Sequence, residues 1–186
     1  MMMRVGRTEL EAIVAARSVV LDTADNPFAT AAFTLHFLDC VARDDWTFWA
    51  GDALGATLLL YAQPSAPTRL RALTNYYASL FSPLAGAADA GGSKAALALA
   101  RALTDLRPAV ATVDMSPLEE ADGATIAGAF KSAGWLTRQY VCFGNWYLPC
   151  EGLSFDAYMA GRPSQTVNTW ARKAKKFKPG DRKSVV

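Results

Sequence analysis

Arg162, Ser164, Asn168, Arg172 and Lys173 crowd one short stretch with the groups that seek phosphate. A planar guanidinium holds a phosphate through two parallel N–H donors, a lysine adds a compact charge, and serine and asparagine add neutral donors. A second concentration is Asn75-Tyr76-Tyr77. A phenol in that run can act as an acid or hydrogen-bond donor towards a developing oxyanion. Aromatic packing on a sheet with one hydroxyl at the surface is the more ordinary role for the same two tyrosines.

The charge supports the first reading. Residues 1–161 carry 11 Lys and Arg against 16 Asp and Glu, a net −5, whereas residues 162–186 carry 8 against 1, a net +7. A block of this kind meets an anion, or it is a solvated helix face with a frayed basic end.

Other chemistry is thinly represented. The chain has no GxGxxG, GxxxxGK[ST], GxSxG or HExxH motif, and its single histidine excludes a multi-histidine metal site, so no metal is expected. His36 has no Ser, Cys or carboxylate motif beside it that would mark a catalytic base, and reads as structural or exposed. Glu119, Glu120 and Asp122 could pair as acids, but they sit where a helix start attracts carboxylates through its dipole. Cys40, Cys142 and Cys150 are odd in number and lack CxxC spacing, so neither a disulfide framework nor a zinc site is expected, and at least two should be buried free thiols.

These residues have to be positioned by a sheet and helices. With 186 residues and 52% hydrophobic composition the chain suits one globular domain with a substantial core. No apolar run approaches the roughly 18 residues of a membrane span, and the first residues lack the continuous apolar core of a secretory signal, which gives a cytoplasmic expectation. Thr8 and Glu11 form a capping box for a helix to about Leu21, and Asn26-Pro27 start a second whose Phe28, Ala31, Ala32, Leu35 and Leu38 face inward. Residues 46–50 and 56–61 flank Gly51-Asp52-Ala53-Leu54-Gly55 and predict a hairpin. Residues 69–74 predict a third antiparallel strand, and 75–84 a continuation or a fourth.

Beyond Gly91-Gly92, Ser93 caps a helix to about Leu106, and 108–114 predict a strand. Ser116-Pro117-Leu118-Glu119 opens a helix that Gly134 stops, with Ile126, Ala129, Phe130 and Ala133 on its inner face. Residues 136–147 predict a long aromatic strand. Ser154 caps a helix that Pro163 ends, and Ser164 caps another, whose Val167, Trp170, Ala171, Ala174 and Phe177 make one apolar stripe. The sum is an α/β layered fold, a mixed and mostly antiparallel sheet with helices on both faces, over residues 1–177, followed by an exposed tail at 178–186.

The run Asn26-Pro27-Phe28, the central Asn75-Tyr76-Tyr77-Ala78-Ser79-Leu80-Phe81-Ser82-Pro83-Leu84, the aromatic Asn145-Trp146-Tyr147 and the closing Tyr158-Met159-Ala160-Gly161-Arg162-Pro163-Ser164 with Asn168, Arg172 and Lys173 together resemble the GNAT-type acyltransferases of the FemAB/CelD kind. Those enzymes carry an "NWY" strand, a "Y-x-x-x-R-P-S" step and an "R-N-x-x-R-K" helix. The chain departs from the pattern at Val167, where a basic residue usually precedes the Asn, and in lacking an [RQ]-x-x-G-x-[GA] pyrophosphate loop.

The resemblance implies a GNAT-like sheet that holds acetyl-CoA or another acyl-CoA by backbone amides and a helix N-terminus, and transfers its acyl group to an amine or hydroxyl. It implies Tyr76 and Tyr77 in catalysis, and Asn75, Arg162, Ser164, Asn168, Arg172 and Lys173 in binding the phosphates of CoA or of a small-molecule, lipid-linked or tRNA acceptor. It further implies the first of two tandem units, needing a second GNAT domain or a homodimer partner for activity. Two other readings stay open: an anion-binding module for nucleic acid or acidic lipid, and a structural half whose basic helices dock elsewhere.

Overall fold

A computed structural model describes residues 1–22, 26–75, 78–84, 86–88, 92–141 and 151–175. The chain divides into two compact units, Met1–Gly144 and Asn145–Val186. The first is a mixed α/β unit built on a five-stranded sheet in the order β1-β2-β3-β4-β5. Its strands are β1 (Met2–Val5), β2 (Thr47–Ala53), β3 (Ala56–Ala62), β4 (Arg69–Ala72) and β5 (Thr112–Asp114). The first three pairings are antiparallel, and β4 pairs with β5 in parallel.

The hairpin forms as expected. Ala53 pairs with Ala56, leaving Leu54 and Gly55 as the two-residue loop, both at positive φ (49° and 87°). That geometry matches the right-handed twist of the flanking strands. Every residue of β3 is buried, because the strand lies between two helical layers. Leu58, Leu60 and Ala62 join the core with α4 (Ser93–Thr104) and α5 (Glu120–Ser132). Leu59 and Tyr61 face the other way and pack with α1 (Arg7–Ala16) and α3 (Ala31–Cys40). Helices therefore cover both faces of the sheet.

Several local expectations are corrected. Gly6, not Thr8, caps α1, and Glu11 pairs with Arg7 at 3.0 Å instead of closing a capping box. The helix stops at Ala16, a short α2 (Ser18–Leu21) follows, and Arg17 between them reaches Asp52 at 2.6 Å. Asn26 does cap, accepting from the Phe28 N–H at 3.0 Å, but it opens a 3-10 turn (Pro27–Ala29), and Thr30 then caps α3. Along α3 it is Ala31, Thr34, Phe37 and Leu38 that are buried, while Ala32 is exposed. Cys40 is exposed rather than buried. Cys142 and Cys150 lie outside the described residues.

Gly92 in the left-handed region (φ 64°) precedes α4 in place of a Ser93 cap, and Glu119 rather than Ser116 starts α5. Gly134 (φ 82°) follows α5 as expected. Residues 78–84 form no strand, and neither do 136–141, where Leu136, Tyr140 and Val141 are exposed. Residues 142–147 lie outside the described ones.

In the second unit α6 (Phe155–Ala160) is capped by Ser154, whose hydroxyl accepts from the Ala157 N–H at 3.1 Å. The helix ends at Gly161, before Pro163. In α7 (Ser164–Ala174) the residue before the helix is Pro163, so Ser164 is the first helical residue and makes no capping bond. Neither helix has a buried residue.

Candidate functional site

A parallel pair of strands in an otherwise antiparallel sheet needs a crossover, and α4 supplies it here. The register Arg69↔Thr112, Leu70↔Val113 and Arg71↔Asp114 sets the carboxyl ends of β4 and β5 side by side. A right-handed crossover returns the amino end of its helix to that same edge. Ligands of open α/β sheets bind where strand ends and a helix start converge.

The chain running out of β4 is fixed by local hydrogen bonds. Leu73 still donates to the Leu59 carbonyl at 3.1 Å, after which Thr74 turns back onto Ala72 at 2.8 Å. Asn75 follows with its side-chain oxygen accepting from the Ala78 N–H at 3.0 Å. The strand ends because a side chain has taken over a backbone donor. The buried Oγ1 of Thr74 and the buried Nε1 of Trp49 in β2 have no hydrogen-bond partner among the described residues. Neither residue stands out in the sequence, where both read as strand packing.

Loops on either side are fixed from several directions. Asn26, 7% exposed, donates from Nδ2 to the Leu80 carbonyl at 3.1 Å and to the Ser82 hydroxyl at 2.9 Å. Phe81 donates to the Pro117 carbonyl at 2.7 Å, and Ala88 to the Leu54 carbonyl at 2.7 Å. A Cβ at Gly55 would stand 2.2 Å from the Gly86 oxygen, so the hairpin turn is pressed against the loop that leads to α4. At Gly92 a Cβ would meet Leu84 at 2.9 Å, and the residue brings no capping side chain to the helix start.

The predicted site residues fall in both units. Asn75 is half-buried at the end of β4, and Tyr76 and Tyr77, which adjoin it, lie outside the described residues. In the second unit Arg162 stacks its guanidinium on the Tyr158 ring at 4.4 Å, with its Nε buried and without a hydrogen-bond partner among the described residues. Ser164, Asn168 and Arg172 stand four residues apart along α7 and so form one row, with Lys173 beside Arg172; all four are exposed. Arg172, Lys173 and Lys175 make no ion pair among the described residues.

Two further clusters stand apart from these. A cleft of about 350 Å³ is lined by Arg4, Arg7, Asp44, Trp46 and Thr47 where β1, α1 and β2 meet. Its charges are largely spent internally: Arg7 contacts Glu11, Asp39 and Asp44 at 3.0, 3.5 and 3.7 Å, and Arg4 donates to Thr47 at 3.4 Å. On α3 the exposed His36 lies 3.6 Å from the Cys40 sulfur one turn on, a neighbour the spacing of four already offered. No group of three or more His, Cys, Asp or Glu side chains capable of holding a metal ion occurs among the described residues. Asp122, in the first turn of α5, is the carboxyl whose pKa is raised, first by burial and then by the negative charge of Glu119.

No family model, curated protein or solved structure matches this chain.

Proposed function

We propose that the first unit is an acyl-CoA-dependent acyltransferase domain, passing an acyl group from a thioester to an amine or hydroxyl. The observation that carries the reading is the β4–α4–β5 parallel step, which sets the carboxyl ends of β4 and β5 side by side, with Asn75 following β4. A strand-end edge of this kind, with a helix start, is where a thioester with a pyrophosphate would be held by backbone donors.

In this reading the acceptor nitrogen or oxygen attacks the thioester carbon, a C–N or C–O bond forms, and the acceptor proton passes to a base. The C–S bond then breaks, and the departing thiolate takes a proton. Tyr76 and Tyr77 are assigned the phenols that donate to the oxyanion and the leaving sulfur, and Asn75 and the unpaired Thr74 hydroxyl are assigned contacts to the donor. Taken by itself, the second unit is assigned phosphate binding through Arg162, Ser164, Asn168, Arg172 and Lys173. A second GNAT unit or a second copy completes the enzyme in this reading.

The test is calorimetry with acetyl-CoA on the full chain, paired with a thiol-release assay over a panel of amines. Saturable binding is expected, together with a rise in stability of about 2.7 kcal/mol at a donor concentration 100 times Kd. Tyr76→Phe and Tyr77→Phe should separate the two phenols, the catalytic one lowering transfer on the order of 10²-fold with donor affinity kept. Absence of binding heat, thermal shift and released thiol at millimolar acetyl-CoA would sink the reading.

A further inference from the structure

The second unit presents an apolar ridge beside unpaired positive charge. Along α7, Val167, Trp170, Ala171 and Ala174 recur at i, i+3, i+4 and i+7, the spacing of a buried stripe. Yet Trp170 is 48% exposed, and Leu153 and Phe155, ahead of and within α6, are 48% and 51% exposed. The Phe155 and Trp170 rings lie 5.0 Å apart and form one aromatic ridge. Arg172 and Lys173 project from the remaining arc of the same helix, and residues 162–186 hold 8 Lys and Arg against 1 acid.

We propose that this helix pair, with Arg162, Arg172, Lys173 and Lys175, is a reversible attachment site for an anionic lipid bilayer surface. An amphipathic helix with aromatic residues on one side and Lys and Arg on the other lies in the interfacial plane, and clusters of this size on such a helix bind acidic headgroups. Two alternative occupants fit less well. A nucleic acid would satisfy the charge and could stack bases on Phe155 and Trp170, but it offers no apolar medium for the exposed Leu153. A second copy also offers acids, but five of them are engaged by Arg7, Arg17 and Arg69 of their own unit, and others such as Glu9, Asp45 and Glu120 lie on separate elements and form no single block to match the basic helix. The mode is peripheral, since no helix among the described residues is long and apolar enough to cross a membrane. The inference does not depend on acyl transfer.

Vesicle co-sedimentation of the full chain tests it, with phosphatidylcholine alone against phosphatidylcholine containing about a third phosphatidylglycerol, at low and high salt. Partition is expected only with the anionic vesicles and should weaken with salt. Arg172→Gln with Lys173→Gln should lower it on the order of 25-fold, since each basic residue near such a surface contributes about a fivefold factor. Trp170→Ala should lower it about tenfold with helix content unchanged, a loss that charge attraction alone does not produce. No partition at low salt overturns the proposal. So does displacement of the chain from vesicles by tRNA with Trp170→Ala without effect, which gives the surface to nucleic acid. Self-association in sedimentation velocity that Trp170→Ala abolishes, in place of vesicle binding, gives it to a second copy.

Discussion

The two units use the same device, an apolar stripe at regular spacing, to opposite ends. In the first unit the stripes of α1, α3, α4 and α5 all find a sheet face, and Leu10, Leu38, Leu60 and Leu103 are completely buried. In the second, no residue of the α7 stripe is fully buried, and only Val167 and Ala171 are half-buried. A repeating apolar pattern therefore specifies a face, and only the presence of a facing surface decides whether that face becomes core or contact. The largest test of this contrast is truncation on each side. Leu60→Ala, in the middle of β3, should cost about 3 kcal/mol of unfolding free energy in a urea titration. Trp170→Ala should stay within about 0.5 kcal/mol. Equal losses would mean that the α7 stripe is packed after all.

Legibility follows the same division. The hairpin could be read because Gly55 supplies one of two positive-φ positions in a loop flanked by strand-type runs, and because β3 is apolar along its length. The helices α3 to α7 were readable from their stripes and stops. The strand expected across 75–84 fails at the described positions because side chains claim its backbone. Asn75 accepts from Ala78, and Asn26, far away in sequence, holds the Leu80 carbonyl. Nothing local to 75–84 announces Asn26. Residues 136–141 form no strand although β5 ends the sheet with an open side among the described residues, whereas β1, only four residues long, pairs along β2. For the site, the residue types could be read, but the parallel step that gives Asn75 its place depends on the pairing of β4 with β5 across the whole of α4.

The role of Asn26 sets the next prediction. Asn26→Ala removes one cap and two donors at a buried position, leaving the Leu80 carbonyl without its donor, and should cost about 2 kcal/mol. If the loop it holds forms a wall of the acyl-donor crevice, the same variant weakens acetyl-CoA binding, whereas Leu60→Ala at permissive temperature does not. Binding lost equally in both would separate the crevice from the loop.

A smaller effect distinguishes the two serines of the second unit. Ser154 accepts from the Ala157 N–H, while Ser164 caps nothing. Ser154→Ala should cost α6 about 1 kcal/mol, seen as reduced helicity in circular dichroism, and Ser164→Ala should leave it unchanged. If Ser164 instead binds phosphate, its loss shows in donor or acceptor affinity.

The smallest expected effect lies in the first turn of α5. Burial and then the Glu119 charge hold the Asp122 carboxyl above its ordinary pKa, so the folded chain binds a proton that the unfolded chain has already released. Unfolding free energy therefore falls as pH rises from the ordinary aspartate value through the raised one, and above both the charged carboxylate remains a standing cost to the fold. Asp122→Asn keeps the shape and removes the charge. It should raise the urea midpoint at pH 7 and lose that advantage below the ordinary aspartate pKa, where the native carboxyl is protonated as well. A destabilised variant at pH 7 would instead mean that attraction between this carboxylate and the helix start outweighs its desolvation and its repulsion by Glu119.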